Sequence, residues 1–153
     1  MKDENTKDKN IEVNTEQAAE VTPMENIQNK VYMIREQQVM LDYDLAEIYG
    51  YEVKALNQQV KRNIGRFPED FMFQLTQEED KNLKSQIVTS SWGGKRKLPY
   101  AFTEQGIYML ATVLRGELAE QQSIFIMRAF REMRHYIKQN QQFVTQSEKK
   151  QYI

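Results

Sequence analysis

No cysteine occurs among the 153 residues, which excludes a disulfide framework, a thiol nucleophile and any thiolate metal site. Histidine is almost as scarce. His135 stands alone among Arg131, Arg134 and Lys138, so histidine-based metal centres are ruled out and a general base without a partner is a poor prospect. Long apolar runs are missing too: no window approaches the roughly 18 uninterrupted apolar residues of a membrane span. The opening MKDENTKDKN has no apolar stretch of the kind a signal peptide carries. A soluble, cytoplasmic, non-exported chain without a cofactor is expected.

What is present is charge, unevenly placed. The formal net charge is -1, but residues 1–29 hold three lysines against seven carboxylates, which gives -4 there and leaves +3 for the remainder. Within residues 52–66 Lys54, Lys61, Arg62 and Arg66 stand against Glu52 alone, and Lys95, Arg96 and Lys97 are adjacent. Clustered cations of this kind are the electrostatic footprint of a nucleic-acid binder.

Residues 1–26 have few large apolar side chains and read as a disordered acidic arm. From Val31 the segments VYMIR and QVML predict a hairpin, with no Gly or Asn to supply positive φ, so its turn is weakly specified. Asp42 is a predicted N-cap for a short helix through Leu45, Ala46 and Tyr49 that Gly50 stops. A second helix, VKALNQQVKRNI, places Val53, Leu56, Val60 and Ile64 on its apolar side and ends before Pro68. FMFQL predicts a strand, and TQEE a capping box, with Thr76 as N-cap and Glu79 reaching back. LPYAF predicts a returning strand after the polar loop TSSWGGKRK, in which Trp92 reads as a stacking residue or, by preference, as a cover for the core. Thr103 then caps a helix containing Ile107, Leu110, Ala111 and Leu114, which Gly116 breaks. A long final helix from about Glu117 carries the stripe Ile126, Phe130, Met133, Ile137 and Val144, with Leu118, Ile124, Phe125 and Met127 as a second apolar face.

The fold class that follows is α+β: a small helix-turn-helix or winged-helix-like domain with short β-hairpins and a long C-terminal helix. Its expected organisation is an acidic arm at 1–26, a DNA-binding domain at 27–137 and a helical or frayed tail at 138–153. Ala46, Gly50 and Leu56 stand where a helix-turn-helix needs a small residue, a left-handed turn and an apolar contact. The second helix then offers Lys54, Asn57, Gln58, Lys61 and Arg62, followed by Arg66, in which amides suit adenine edges and cations suit phosphate or guanine. An ordinary αα-hairpin with a solvated polar face is the alternative. WGGKRK, with Lys95, Arg96 and Lys97, reads as a DNA-following wing or as a charged surface loop. It does not suit a nucleotide phosphate loop, because Lys95 is followed by Arg96 and not by Ser or Thr. The carboxylates at 78–80 fit the first turn of a helix better than acid-base catalysis, so neither catalytic nor metal-ligating residues are expected.

The blocks VMLDYDLAEIYG, LNQQVKRN, RFPEDFMFQLT, TSSWGG, LPYAFTEQG and IMRAF, in that order over about residues 27–137, closely resemble the ORF-six-N (ORF6N) domain. That domain is a relative of the KilA-N and Bro-N domains of phage antirepressors and prophage proteins. The resemblance implies a non-enzymatic DNA-binding domain of a bacterial or phage-infected cell. Glu36 departs from the family pattern, which usually has a glycine in the hairpin turn. The expected function is double-stranded DNA binding in transcriptional control, as regulator or antirepressor. The alternative is a module that relieves repression by binding a repressor protein without touching DNA. Beyond Ile137 the stripe reads either as a homodimer coiled coil, with Asn140 setting register, or as a frayed extension.

Overall fold

The computed structural model describes residues 23–86 and 97–151. The elements in order are α1 (Pro23–Gln28), β1 (Val31–Ile34), β2 (Gln37–Leu41), α2 (Asp42–Tyr49), α3 (Val53–Arg62), a 3-10 turn (Ile64–Arg66), β3 (Met72–Gln74), α4 (Gln77–Gln86), β4 (Tyr100–Thr103), α5 (Glu104–Val113) and α6 (Glu117–Gln151). The chain is therefore α+β with a long C-terminal helix, as its patterning implies. Two compact units divide it. One is Lys30–Met127; the other is Met1–Asn29 with Arg128–Ile153, and α1 overlaps the last residues of the expected disordered arm at 1–26.

Within Lys30–Met127 all four strands join one antiparallel sheet in the order β1-β2-β4-β3. The two expected strand pairs are thus fused through β2 and β4, with Leu41 opposite Ala101 and Val39 opposite Thr103. Both central strands run without a loop into a helix, β2 into α2 and β4 into α5, and being antiparallel they launch those helices from opposite ends of the sheet. Val39, Leu41, Leu75, Leu83 and Ala101 bury one cluster, with Tyr32, Tyr43 and Phe73 packed against it.

The β1-β2 turn is tighter than its residues suggested. Ile34 pairs with Gln37, and the two residues between, Arg35 and Glu36, have φ of 54° and 62°. Positive φ at both central positions is the type I′ pattern, which costs a non-glycine residue roughly 1 kcal/mol or more. Arg35 offsets that strain. Its guanidinium donates to both oxygens of Glu79, at 2.9 and 3.0 Å, and lies 4.0 Å over the Phe73 ring. Glu79 also closes the predicted capping box: it accepts from the Thr76 N–H at 2.9 Å, and its own N–H donates to Thr76 Oγ1 at 3.1 Å. Arg35 and this capping bond hold the Glu79 carboxyl down at about 2.

At the other end of the sheet Thr103 Oγ1 accepts from the Gly106 N–H, capping α5 as expected, and donates to the Asp70 carbonyl at 2.9 Å. Gly106 is required for close approach, because a Cβ there would overlap the Phe71 carbonyl. The helix stops at Val113, so Leu114 is its C-cap and not its last apolar position. In α6, Ile126 is fully buried, whereas Leu118, Ile124 and Met127 are exposed, so the expected second core face does not form. One helix side already fills the available interior, and those three residues lie off it.

Candidate nucleic-acid interface

The site grows from the α2-α3 pair. Gly50, with φ 70° and ψ 30°, takes the left-handed conformation that ends α2, and its N–H donates to the carbonyls of Ala46 and Glu47. Tyr51 N–H donates to the Ala46 carbonyl at 2.8 Å, and Val53 already begins α3. So short a connection presses the helices together: Leu45, Ala46 and Tyr49 on α2 and Leu56 and Val60 on α3 are all buried. The first turns of α6 hold α2 from behind. Tyr49 Oη and Ser123 Oγ lie 2.7 Å apart, and Gln122 Nε2 donates to the Ile48 carbonyl at 2.8 Å.

Asp42 is not the N-cap its position suggested. Leu41 is, with extended backbone and no side-chain capping bond, because β2 runs straight into the helix. Asp42 instead occupies the first helical position, 4% exposed, and has other partners. One carboxylate oxygen accepts from the Tyr43 N–H at 2.8 Å and the other from Asn57 Nδ2 at 3.0 Å. Asp44 nearby is buried, with one oxygen lacking a hydrogen bond among the described residues. Burial raises its carboxyl to about 6, with Lys30 opposing and Glu47 and Asp42 adding to the rise.

The outer side of α3 forms one wall of a groove of about 1020 Å³. Lys54, Asn57, Gln58 and Lys61 line it from the helix, Asp42 and Tyr43 from α2, and Lys84 with Asp80 from α4. Lys97, Leu98, Pro99, Tyr100, Met72 and Gln74 complete the lining from the sheet side. Five of the expected residues are thereby brought together, Lys97 being the fifth. Arg62 and Arg66 are exposed but do not line the groove; Arg66 donates to Thr112 Oγ1 at 3.2 Å. Lys95, Arg96 and the rest of the wing reading, with Trp92, lie outside the described residues.

Val53 and Ile64 correct the helical pattern. Both were expected on the core side, yet they are 37% and 55% exposed and line the groove, because Leu56 and Val60 already fill the contact with α2. The sequence reading missed Lys84, Gln74, Tyr43 and Tyr100. Only Lys84 left a local trace, four residues after Asp80, and it does pair with Asp80 at 3.1 Å. Gln74 and Tyr100 reach the groove through strand pairing and Tyr43 from the first turn of α2, which no local pattern announces.

Charge is handled differently along this groove. Lys84 is paired, as are Lys30 with Glu47 and Arg35 with Glu79 elsewhere in the unit. Among the described residues no carboxylate pairs with Lys54, Lys61, Arg62, Arg66 or Lys97. Nor does α3 contain an acidic residue of its own. Among the described residues no group of three or more His, Cys, Asp or Glu side chains could hold a metal ion.

The family profile of the ORF6N domain matches residues 29–113, more than half of the chain. This chain therefore belongs to the ORF6N domain family, a phage-associated domain for which a regulatory role fits in general. The matched span takes in the hairpin, the α2-α3 pair, α4 and α5, and with them every described residue of the groove. No curated protein and no solved structure gives a significant match. No helix among the described residues is long and apolar enough to cross a membrane.

Proposed function

We propose that this chain is a non-enzymatic DNA-binding protein of phage or prophage type, acting in transcriptional control as a regulator or antirepressor, with α3 as its recognition helix in a helix-turn-helix arrangement. The observation that carries this reading is the set of cations on and beside α3 that no carboxylate pairs among the described residues, in a unit that pairs Lys30, Arg35 and Lys84 internally. Five cations without a carboxylate partner among the described residues suit an anionic partner, and the ORF6N family's regulatory setting makes duplex DNA the partner of choice. In this reading Lys54, Lys61, Arg62, Arg66 and Lys97 meet phosphate, while Asn57 and Gln58 address base edges.

Titration of the full chain against random duplex over a salt series is the test. Four to six phosphate contacts give a log-log slope of about -3.5 to -5.5. Absence of binding at about 50 mM salt would move the reading to a module that acts by binding a repressor protein. The reading includes a homodimer through the C-terminal helix, which Tyr136 and Ile137, 67% and 41% exposed, support. Sedimentation beside a truncation after Tyr136 tests it; equal behaviour of the two would remove the dimer.

A further inference from the structure

Asp42 is a costly residue to keep. A carboxylate at 4% exposure loses most of its hydration, and its position at the start of α2 could be served by a neutral side chain. What it does in the fold is specific. One oxygen is taken by the adjacent Tyr43 N–H, which fixes the carboxylate plane, and the other accepts from Asn57 Nδ2. Asp42 and Asn57 both line the groove, so this part-buried bond borders the space a ligand would enter.

The bond also decides how Asn57 is turned. Asn57 Nδ2 faces Asp42 Oδ2, and because a carboxylate only accepts, this bond sets the polarity of the amide and disfavours exchange of its two ends. One further N–H and the carbonyl oxygen remain for another partner. That is one donor and one acceptor at fixed polarity. In the major groove adenine offers N7 as acceptor and N6 as donor, whereas guanine offers two acceptors, cytosine a donor and thymine an acceptor. Only adenine answers both atoms of an amide held this way. Gln58, one residue on, has no such partner among the described hydrogen bonds and lies at the more exposed edge of the same face.

We infer that Asp42 is a positioning residue for base recognition: it holds the Asn57 amide so that its remaining N–H and its carbonyl oxygen meet the adenine edge of an A·T pair. This rests on the DNA-binding reading above and adds to it the base and the residue that fixes the reader. Asp42 itself touches no DNA. Its contribution is preorganisation, since an amide already held in one orientation loses less freedom on binding.

The experiment uses the full chain and a pool of randomised duplexes, with the bound fraction sequenced and the salt slope measured on unselected duplex. The parent is expected to enrich adenine at one position by about 5- to 100-fold, the range a good bidentate contact provides. Asp42→Ala and Asn57→Ala should each lose most of that preference, the double variant should lose no more than either, and the salt slope on random duplex should stay that of the parent. Asp42→Asn keeps the shape but lets the amide turn, so it should retain an intermediate preference; it also covers the case in which Asp42→Ala does not fold. Independently, the Asn57 side-chain NH2 protons of the free protein should differ widely in NMR shift and converge in the Asp42 variants. A parent that binds no duplex overturns the DNA reading and this inference together. A parent that binds while Asp42→Asn keeps the full preference, or while the Asn57 protons ignore Asp42, overturns this inference alone. So does a uniform loss of affinity for all sequences, which would make Asp42 a structural tie.

Discussion

Helices α3 and α4 are both ten residues long and border the same groove, yet most of the charge on α4 is paired within the fold and that on α3 is not, among the described residues. In α4 three of the five charges are committed to the fold, Glu79 to Thr76 and Arg35 and Asp80 to Lys84, while Glu78 and Lys81 are exposed and have no ion pair among the described residues. In α3 Lys54, Lys61 and Arg62 have no carboxylate partner among the described residues. Charge that is paired shapes the molecule, and charge left unpaired is available to something else. The contrast predicts that substitutions on the two sides will separate cleanly into stability effects and binding effects.

The largest effect is expected at the corner where α4 meets the hairpin. Arg35→Ala removes a two-pronged ion pair and a ring contact, and it leaves two positive-φ residues without their anchor. A loss of roughly 2–3 kcal/mol in denaturant unfolding is expected, with DNA affinity of the folded fraction unchanged. A smaller change, of opposite sign, is expected at Asp44, whose charge is buried instead of paired. Its carboxyl sits at about 6 in the fold against an ordinary 3.8, so its contribution is present below pH 3.8 and lost as pH rises through 6. Asp44→Asn should therefore stabilise by roughly 1–2 kcal/mol at pH 7 and by much less at pH 4, as thermal melts at the two pH values would show.

Glu79 titrates the other way. Held at about 2 in the fold against an ordinary 4.5, it supports stability above pH 4.5 and loses that support as pH falls toward 2. Glu79→Gln should flatten the acid limb of the stability curve across that window, by about 1 kcal/mol given the partly exposed partner. If the acid limb of the variant is as steep as the parent's, the corner is not held by this pair. The smallest stability effect is expected on α3, where Lys61→Ala should stay within about 0.5 kcal/mol.

The same contrast explains what could be read before the fold was known. Local chemistry was legible: the Thr76-Glu79 capping box, the Thr103 cap and the Gly50 turn each depend on residues within four positions of one another, and each forms. The polar face of α3 was legible because helical periodicity sets which side chains share a side. What lies across from that face was not. Gln74 and Tyr100 face the groove through the β3-β4 pairing, whose partners lie 26 to 30 residues apart (74 with 100, 72 with 102), and Lys84 comes from the helix that follows β3. Asp42 was misread for a related reason. Its sequence position suits a cap, and only the packing of α3 against α2 supplies Asn57 as its partner. Arg35 and Glu36 look unsuited to a two-residue turn until Glu79 and Phe73 are seen beside them.

The central claim, that the cations of α3 hold DNA phosphate, is tested most directly by the salt dependence of duplex binding for the parent, for Lys54→Ala with Lys61→Ala, and for Lys30→Ala as the paired control. The account predicts that the double variant binds all sequences more weakly and loses about two units of log-log slope, near 0.9 per contact, while Lys30→Ala keeps the parent slope. A double variant whose slope and affinity match the parent's would contradict the account.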